Sequence, residues 1–144
     1  EHRIELVREL DGVKYYNDSI GTSPTRTMAC LASFDQKLII IAGGYDKGVP
    51  FTQLGTEMVK KVKRLVLCGA TAPAIRKAVE EAPGFADSGM ELVETKTLDE
   101  AVQAARAGAV PGDVVVLSPA CAAFDQFKNF MERGKYFKQL VNAL

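Results

Sequence analysis

Short apolar runs alternate along this chain with longer segments in which apolar residues recur every three or four positions. Residues 38–42, 65–68 and 114–117 are continuous apolar runs, which is typical of strands covered on both faces of a sheet. Helical spacing appears in the segments at 24–34, 51–61, 72–82 and 97–107, and in a closing helix with inward Phe130, Phe137, Leu140 and Val141. Strands that alternate with helices predict a parallel sheet with helices on both faces.

Local signals mark the ends of several elements. Asp11-Gly12 separates two strand-like segments at 4–10 and 13–16 and predicts an antiparallel hairpin. Ser23-Pro24 opens one helix, a capping box at 97–100 opens another, and residues 91–94 form a brief strand. We therefore predict an α/β fold in a single domain over residues 1–144: a Rossmann-like, mostly parallel sheet of about six strands, with one antiparallel strand from the N-terminal hairpin.

Composition narrows the possible functions. Lys plus Arg equals Asp plus Glu at 18 each, so no overall field attracts nucleic acid or a membrane surface. There is no run of eighteen apolar residues that would span a bilayer. The widely spaced Cys30, Cys68 and Cys121 are typical of reduced thiols in a cytosolic protein. The single histidine, His2, argues against a His-based triad or a His-rich metal site.

The loops at 17–22, 43–48 and 118–130 carry the candidate chemistry. Each follows a strand that we predict to be parallel, and ligands bind beyond the carboxyl ends of such strands. Their meeting would gather an acid (Asp18), a base (Lys47), aromatic rings (Phe124 and Phe130) and the helix N-terminus at Ser23. Free N–H groups, the helix dipole and a lysine favour the binding of a small carboxylate or phosphate.

Taken singly, these residues have ordinary explanations. Lys47 alone is more often a solvated lysine, Asp18 a turn residue, and the two phenylalanines core residues. Gly43 and Gly48 have the spacing of a phosphate loop, but Val49 stands where that loop needs lysine. The functional interpretation therefore depends on all three loops coming together.

Four motifs occur in this chain in a fixed order. They are His2-Arg3 leading into Glu5, Asn17-Asp18-Ser19 with Thr22, Gly43-Gly44-x-x-Lys47, and a long block from Leu117-Ser118-Pro119-Ala120-Cys121-Ala122 through Phe124-Asp125 and Phe130 to Arg133-Gly134. Over essentially its full length the chain resembles the C-terminal domain of the Mur ligases, most closely that of the members that add D-glutamate.

This resemblance implies one lobe of a cytoplasmic, ATP- and Mg²⁺-dependent ligase. Such an enzyme activates the carboxylate of UDP-N-acetylmuramoyl-L-alanine as an acyl phosphate, which the amine of D-glutamate attacks during peptidoglycan precursor synthesis. A central domain would supply the phosphate loop and the magnesium ligands, so we expect this chain to be the third domain of a longer enzyme. By itself we expect it to be inactive and monomeric, with neither a catalytic residue nor a metal ligand.

The resemblance also assigns site residues. It implies D-glutamate binding by Thr22, Lys47, Phe124 and Phe130, and nucleotide binding by Arg3, Asn17 and Asp18. Some members carry a lysine where this chain has Ile20 and a serine where it has Ala123, which removes a cation and a hydroxyl from the expected amino-acid pocket. Two alternatives stay open: a sister ligase that adds another amino acid, and a freestanding α/β module that binds a small anion.

Overall fold

The computed structural model describes residues 1–144 and contains one six-stranded sheet. Its strands are β1 (Glu5–Leu10), β2 (Val13–Asn17), β3 (Leu38–Ala42), β4 (Val62–Leu67), β5 (Glu91–Glu94) and β6 (Val114–Leu117). They lie in the order β1-β2-β6-β3-β4-β5. Only β1 and β2 pair antiparallel, and every other pair is parallel. The predicted α/β class and the single antiparallel strand are confirmed.

Helices cover both faces of this sheet. They are α1 (Pro24–Ala32), α2 (Thr52–Lys61), α3 (Ala72–Glu80), α4 (Phe85–Ser88), α5 (Leu98–Ala107) and α6 (Phe130–Asn142). Because successive strand residues point to opposite faces, Ile40 packs in the core beneath α1, α2 and α3. Its neighbours Ile39 and Ile41 pack beneath α5 and α6. None of these helices has the length and apolar character needed to cross a bilayer.

Turn and capping residues explain where several helices and strands begin. Asp11 and Gly12 have φ of 54° and 79°, the left-handed pair that a two-residue type I′ hairpin requires. Ser23 Oγ accepts the Arg26 N–H at 3.4 Å and caps α1. Thr97 Oγ1 accepts the Glu100 N–H at 3.2 Å and caps α5. The predicted hairpin and both N-caps are confirmed.

Three boundaries differ from the prediction. β4 begins at Val62, directly after α2, whereas its apolar run begins at Leu65. The residues before Leu65 belong to the strand because Val62 and Arg64 pair with Leu38 and Ile39 of β3, with Lys63 at the register shift between them. Lys63 Nζ lies 3.0 Å from Asp113, and Arg64 Nη1 lies 3.4 Å from Glu91. α1 and α3 each end two residues earlier than predicted, and the short α4 was not predicted.

The topology brings three loops to one edge of the sheet. β6 enters between β2 and β3, so that Leu117 pairs with Asn17 on one side and with Ile41 on the other. All three strands are parallel and end at the same level. The loops that follow them therefore leave the sheet side by side at its carboxyl edge, where open α/β sheets bind ligands.

Candidate functional site

Backbone hydrogen bonds join the three loops at the carboxyl edge. In the loop after β6, the Ala120 N–H donates to the Gly21 carbonyl at 2.8 Å. On its other side, the Gly43 N–H donates to the Pro119 carbonyl at 2.9 Å, and the Tyr45 N–H to the Ala122 carbonyl at 2.9 Å. The loop after β6 thus lies between the other two, and the prediction that the three loops gather is confirmed.

Asn17, a predicted nucleotide-binding residue, is fully buried at the end of β2. Its amide nitrogen lies 2.9 Å from His2 Nδ1 and donates to Glu5 Oε1 at 3.1 Å. Its amide oxygen accepts the Ser19 N–H at 3.0 Å. Asn17 therefore anchors the N-terminal segment that carries Arg3.

Asp18 lies in the floor of an open pocket and is only 3% exposed. Its Oδ1 accepts the Ile4 N–H at 3.1 Å, and its Oδ2 accepts the Ser118 hydroxyl at 2.7 Å. Burial raises the pKa of Asp18, although these hydrogen bonds and the charge of Arg3 act in the opposite direction. The carboxylate is thus held in a fixed position with both oxygens engaged.

The pocket above Asp18 has a volume of about 260 Å³ and presents cations. Arg3 is exposed on its wall between His2 and Ile4, which have left-handed φ of 65° and 44°. Such backbone is rare for a β-branched residue and occurs where the surroundings enforce it. Arg26, which sequence reasoning missed, lines the same pocket as Ile20. The structure thus brings the predicted Arg3 and Asp18 together and places Asn17 behind them.

Thr22 and Lys47 lie in the loops after β2 and β3, on either side of the loop after β6. Thr22 is half-buried immediately before the N-cap of α1, and Lys47 is exposed. The residues that follow them, including Ser23 and Pro50, line an open pocket of about 440 Å³ between the N-termini of α1 and α2. No side chain caps α2, so its first N–H groups remain available to an anion.

The two predicted aromatic residues occupy different surroundings. Phe124 is 62% exposed, and its ring packs edge-on against Tyr45 with centroids 6.0 Å apart. Phe130 is half-buried at the start of α6 and packs edge-on against His2 at 5.9 Å. Phe124 therefore flanks the loop that carries Lys47, whereas Phe130 supports the segment that carries Arg3.

Arg133 also lies at this edge, although no site role is predicted for it above. It is 4% exposed. Its guanidinium donates from Nε to Ser19 Oγ at 3.0 Å, from Nη1 to the Cys121 carbonyl at 2.9 Å and from Nη2 to the Ser19 carbonyl at 2.8 Å. Burial lowers its pKa to about 10, so the side chain is charged at neutral pH. The sequence signals are its place at the end of the long motif block, in Arg133-Gly134, and its position close to the inward face of α6.

The three cysteines are buried and free. Burial raises the pKa of Cys30 to about 12 and that of Cys68 to about 11, and it also raises the pKa of Cys121. A thiol in such surroundings stays protonated at neutral pH and is a poor nucleophile. The interpretation of Cys121 as a small buried apolar residue is confirmed.

Asp18→Asn should change how stability depends on pH. Because burial raises the Asp18 pKa above its ordinary 3.8, the folded state holds this proton more tightly than the unfolded state. The unfolding free energy then falls as pH rises from 3.8 to the raised pKa. An asparagine has no carboxyl group to titrate, so the variant should gain stability relative to wild type as the pH rises from 3.8 through the raised pKa of Asp18, and the difference should then stay constant. Thermal unfolding of both proteins across that range measures the trend.

The matched control for this test is Asp35→Asn, which removes one carboxylate from an exposed position after α1. A stability difference between wild type and Asp18→Asn that does not vary with pH would contradict the buried, raised-pKa carboxylate.

Comparison with protein families and known relatives places the chain in a defined group. The family model described as "Mur ligase, glutamate ligase domain" matches residues 2–121. The chain is 55% identical over its full length to a UDP-N-acetylmuramoylalanine--D-glutamate ligase from Acetivibrio thermocellus. It is 51% identical over its full length to the enzyme of the same name from Clostridium beijerinckii. It spans only 31% of the length of each relative.

Solved structures share this fold at low sequence identity. A murein peptide ligase from Psychrobacter arcticus aligns with all of this chain and 30% of its own, with a TM-score of 0.64 and 14% identity. A domain from a putative UDP-N-acetylmuramate:L-alanyl-gamma-D-glutamyl-medo-diaminopimelate ligase of Haemophilus ducreyi aligns over 96% of this chain and 99% of its own. Its TM-score is 0.58 at 14% identity. At such identities the likeness concerns the fold alone.

Proposed function

This chain belongs to the Mur ligase family, and from that premise we propose that it is the amino-acid-accepting lobe of an ATP-dependent ligase. The proposed reaction joins D-glutamate to the carboxyl group of UDP-N-acetylmuramoyl-L-alanine, in the cytoplasm. The observation that carries the proposal is the meeting of three loops at one edge, with Lys47 and the N-terminus of α1 on one side and Arg3 with Asp18 on the other. The shared name of the two similar relatives supports the choice of amino acid.

D-Glutamate would lie along the loops after β2 and β3. Its carboxylates need positive charge, which the exposed Lys47 and the positive end of the α1 dipole beyond Thr22 offer. A charge-assisted hydrogen bond to lysine contributes about 1.5–3 kcal/mol. Phe124 and Phe130 would border the site, with Phe124 nearer the Lys47 loop. Holding both carboxylates fixes the direction of the amine.

The nucleotide would approach the other side of the edge. Arg3 and Arg26 offer two guanidinium groups to phosphate oxygens around the pocket above Asp18. A buried carboxylate repels phosphate, so Asp18 is suited to a ribose hydroxyl or a metal-bound water. Asn17 would contribute to nucleotide binding indirectly, by holding the segment that carries Arg3, because its side-chain amide already binds His2, Glu5 and Ser19.

The residues of this chain do not fit a magnesium site. The one cluster of suitable ligand atoms comprises Glu1, His2 and Glu5. Lys138 lies among them, and its ammonium pairs with both carboxylates. A cation already compensates the two acids, so we assign the Mg²⁺ that this reaction needs to another part of the ligase.

The contribution of this lobe to catalysis would be positioning. In the proposed step the D-glutamate amine attacks the acyl-phosphate carbon, a C–N bond forms, and the C–O bond to phosphate breaks with release of phosphate and a proton. Fixing the amine near its target saves the entropy of bringing two molecules together. Cations around the edge stabilise the charge that develops on the oxygens.

A comparison of amino-acid acceptors in the whole ligase tests this proposal. We expect kcat/KM for D-glutamate to exceed that for L-alanine, L-lysine or diaminopimelate by about 10- to 100-fold, because these acceptors lack the second carboxylate or add an amine, and so lose the charge-assisted hydrogen bond of about 1.5–3 kcal/mol that we propose for Lys47. The measurement is phosphate release with UDP-N-acetylmuramoyl-L-alanine, ATP and Mg²⁺. Preference for another acceptor would identify a sister ligase, and binding without ligation would favour a freestanding anion-binding module.

A further inference from the structure

We propose that Arg133 is a positioning residue whose buried guanidinium holds the three edge loops together and places a positive charge beneath the acceptor site. The inference rests on the proposed function, because it concerns how the same site binds an anionic amino acid. It goes further by assigning an electrostatic and structural role to a side chain that the ligand does not touch.

One side chain reaches all three loops. Ser19, in the loop after β2, accepts two hydrogen bonds from the guanidinium through its hydroxyl and its carbonyl. Cys121, in the loop after β6, accepts a third through its carbonyl. Gly44, in the loop after β3, lies so close that a Cβ there would be 3.4 Å from Nη1. A shift of Arg133 would therefore break hydrogen bonds to two of the loops and alter its packing against the third.

The helix that carries Arg133 is itself anchored. Asn129 caps α6 by accepting the Glu132 N–H at 2.9 Å, and Ser19 Oγ donates to the Phe130 carbonyl at 2.7 Å. Gly134 lets the His2 ring approach, since a Cβ at this position would lie 2.2 Å from Nδ1. The guanidinium thus connects the loops to the first turns of a fixed helix.

No carboxylate forms an ion pair with Arg133, although the charge of Asp125 nearby acts on it and favours its protonated form. Its three acceptors are two carbonyls and a hydroxyl. The nearby acid is Asp125, whose Oδ2 accepts the Ala70 N–H at 3.2 Å. The thiols of Cys68 and Cys121 also face the guanidinium, and burial keeps them protonated.

A buried charge that forms no direct ion pair acts over a longer range than a solvated one, because the surrounding dielectric constant is low. A dicarboxylate bound among the three loops would lie within this field. The field of Arg133 would thus favour an anionic acceptor over a neutral one, in addition to the direct contact that we propose for Lys47.

The test compares Arg133→Met with Arg133→Lys in the whole ligase. Met keeps the apolar stem of the side chain and removes the charge. Lys keeps a positive charge, but burial lowers the pKa of its ammonium group, so that it loses the proton at a lower pH than an exposed lysine does. Relative to wild type at each pH, we expect Arg133→Met to raise the D-glutamate KM about tenfold throughout. Arg133→Lys should stay close to wild type near neutral pH and approach the Met variant as the pH rises and the ammonium loses its proton. The ATP KM should change less than threefold in both.

Two outcomes would overturn the inference. One is a D-glutamate KM for Arg133→Met equal to that of wild type; the other is the same KM for both variants at every pH, which would indicate packing without a role for charge. If neither variant folds, Ser19→Ala provides the test, because it keeps the charge of Arg133 and removes the hydroxyl that accepts from Nε and donates to the Phe130 carbonyl. We expect it to raise the D-glutamate KM about threefold, and an unchanged KM would refute positioning. Failure of the wild-type enzyme to use D-glutamate would instead refute the proposed function.

Discussion

Replacing Gly43 by alanine should destabilise this domain by at least about 3 kcal/mol, the sum expected from a left-handed backbone and an overpacked contact. Gly43 has φ of 116°, and a Cβ at this position would lie 1.8 Å from the Cys68 carbonyl oxygen. Neither partner is free to move: Gly43 donates to Pro119 at 2.9 Å, and the Cys68 N–H donates to Ala42 at 3.0 Å. The side chain can be accommodated only if β3 separates from β4 at their ends.

Thermal unfolding measures this effect, and Gly48→Ala is the matched control. Gly48 lies in the same loop with φ of 75°, but no atom lies within 4 Å of its Cβ position. The control therefore carries the backbone strain without the clash. We expect the Tm to fall by about 10 °C for Gly43→Ala and by about 3 °C for Gly48→Ala. Equal losses would show that the close approach of Gly43 to Cys68 does not constrain the fold.

The sequence predicts most of this fold because local chemistry determines most of its elements. β3 and β6 are continuous apolar runs. Asp11 and Gly12 both have left-handed φ, as the type I′ turn of a two-residue hairpin requires. The start of β4 could not be predicted from hydropathy. Val62 and Arg64 belong to the strand because they pair with Leu38 and Ile39 of β3, and no local pattern in the sequence indicates these partners.

The same difference between local and distant causes determines how much of the site can be predicted from the sequence. The meeting of the three loops depends on strand order and direction, and the sequence predicts both in outline. The depth at which each side chain lies depends on the packing of distant segments. Asn17 is fully buried because His2 and Glu5 fold over it. The acceptors of Arg133 include backbone carbonyls, which leave no mark in a sequence, so its place in the site could be found only from the structure.

Removing the Lys47 ammonium should have the largest direct effect on the amino-acid acceptor. In the whole ligase, we expect Lys47→Ala to raise the D-glutamate KM tenfold or more, which corresponds to about 1.4 kcal/mol per decade. Lys47 is exposed at the edge, and a charge-assisted hydrogen bond contributes about 1.5–3 kcal/mol. Because the carboxylates of D-glutamate keep their charge during the reaction, the ground state and the transition state lose the same contact. The kcat should therefore change much less than the KM.

Steady-state kinetics with D-glutamate and ATP varied separately test this expectation. Lys77→Ala is the matched control, since Lys77 is an exposed lysine near the end of α3, and it should leave both KM values unchanged. Lys47→Arg keeps the charge on a longer, planar group and should recover part of the lost affinity. An unchanged D-glutamate KM in Lys47→Ala would remove this lysine from the site and leave the N-terminus of α1 and the field of Arg133 as the sources of anion binding. A KM that rises equally for ATP would instead place Lys47 on the nucleotide side of the edge.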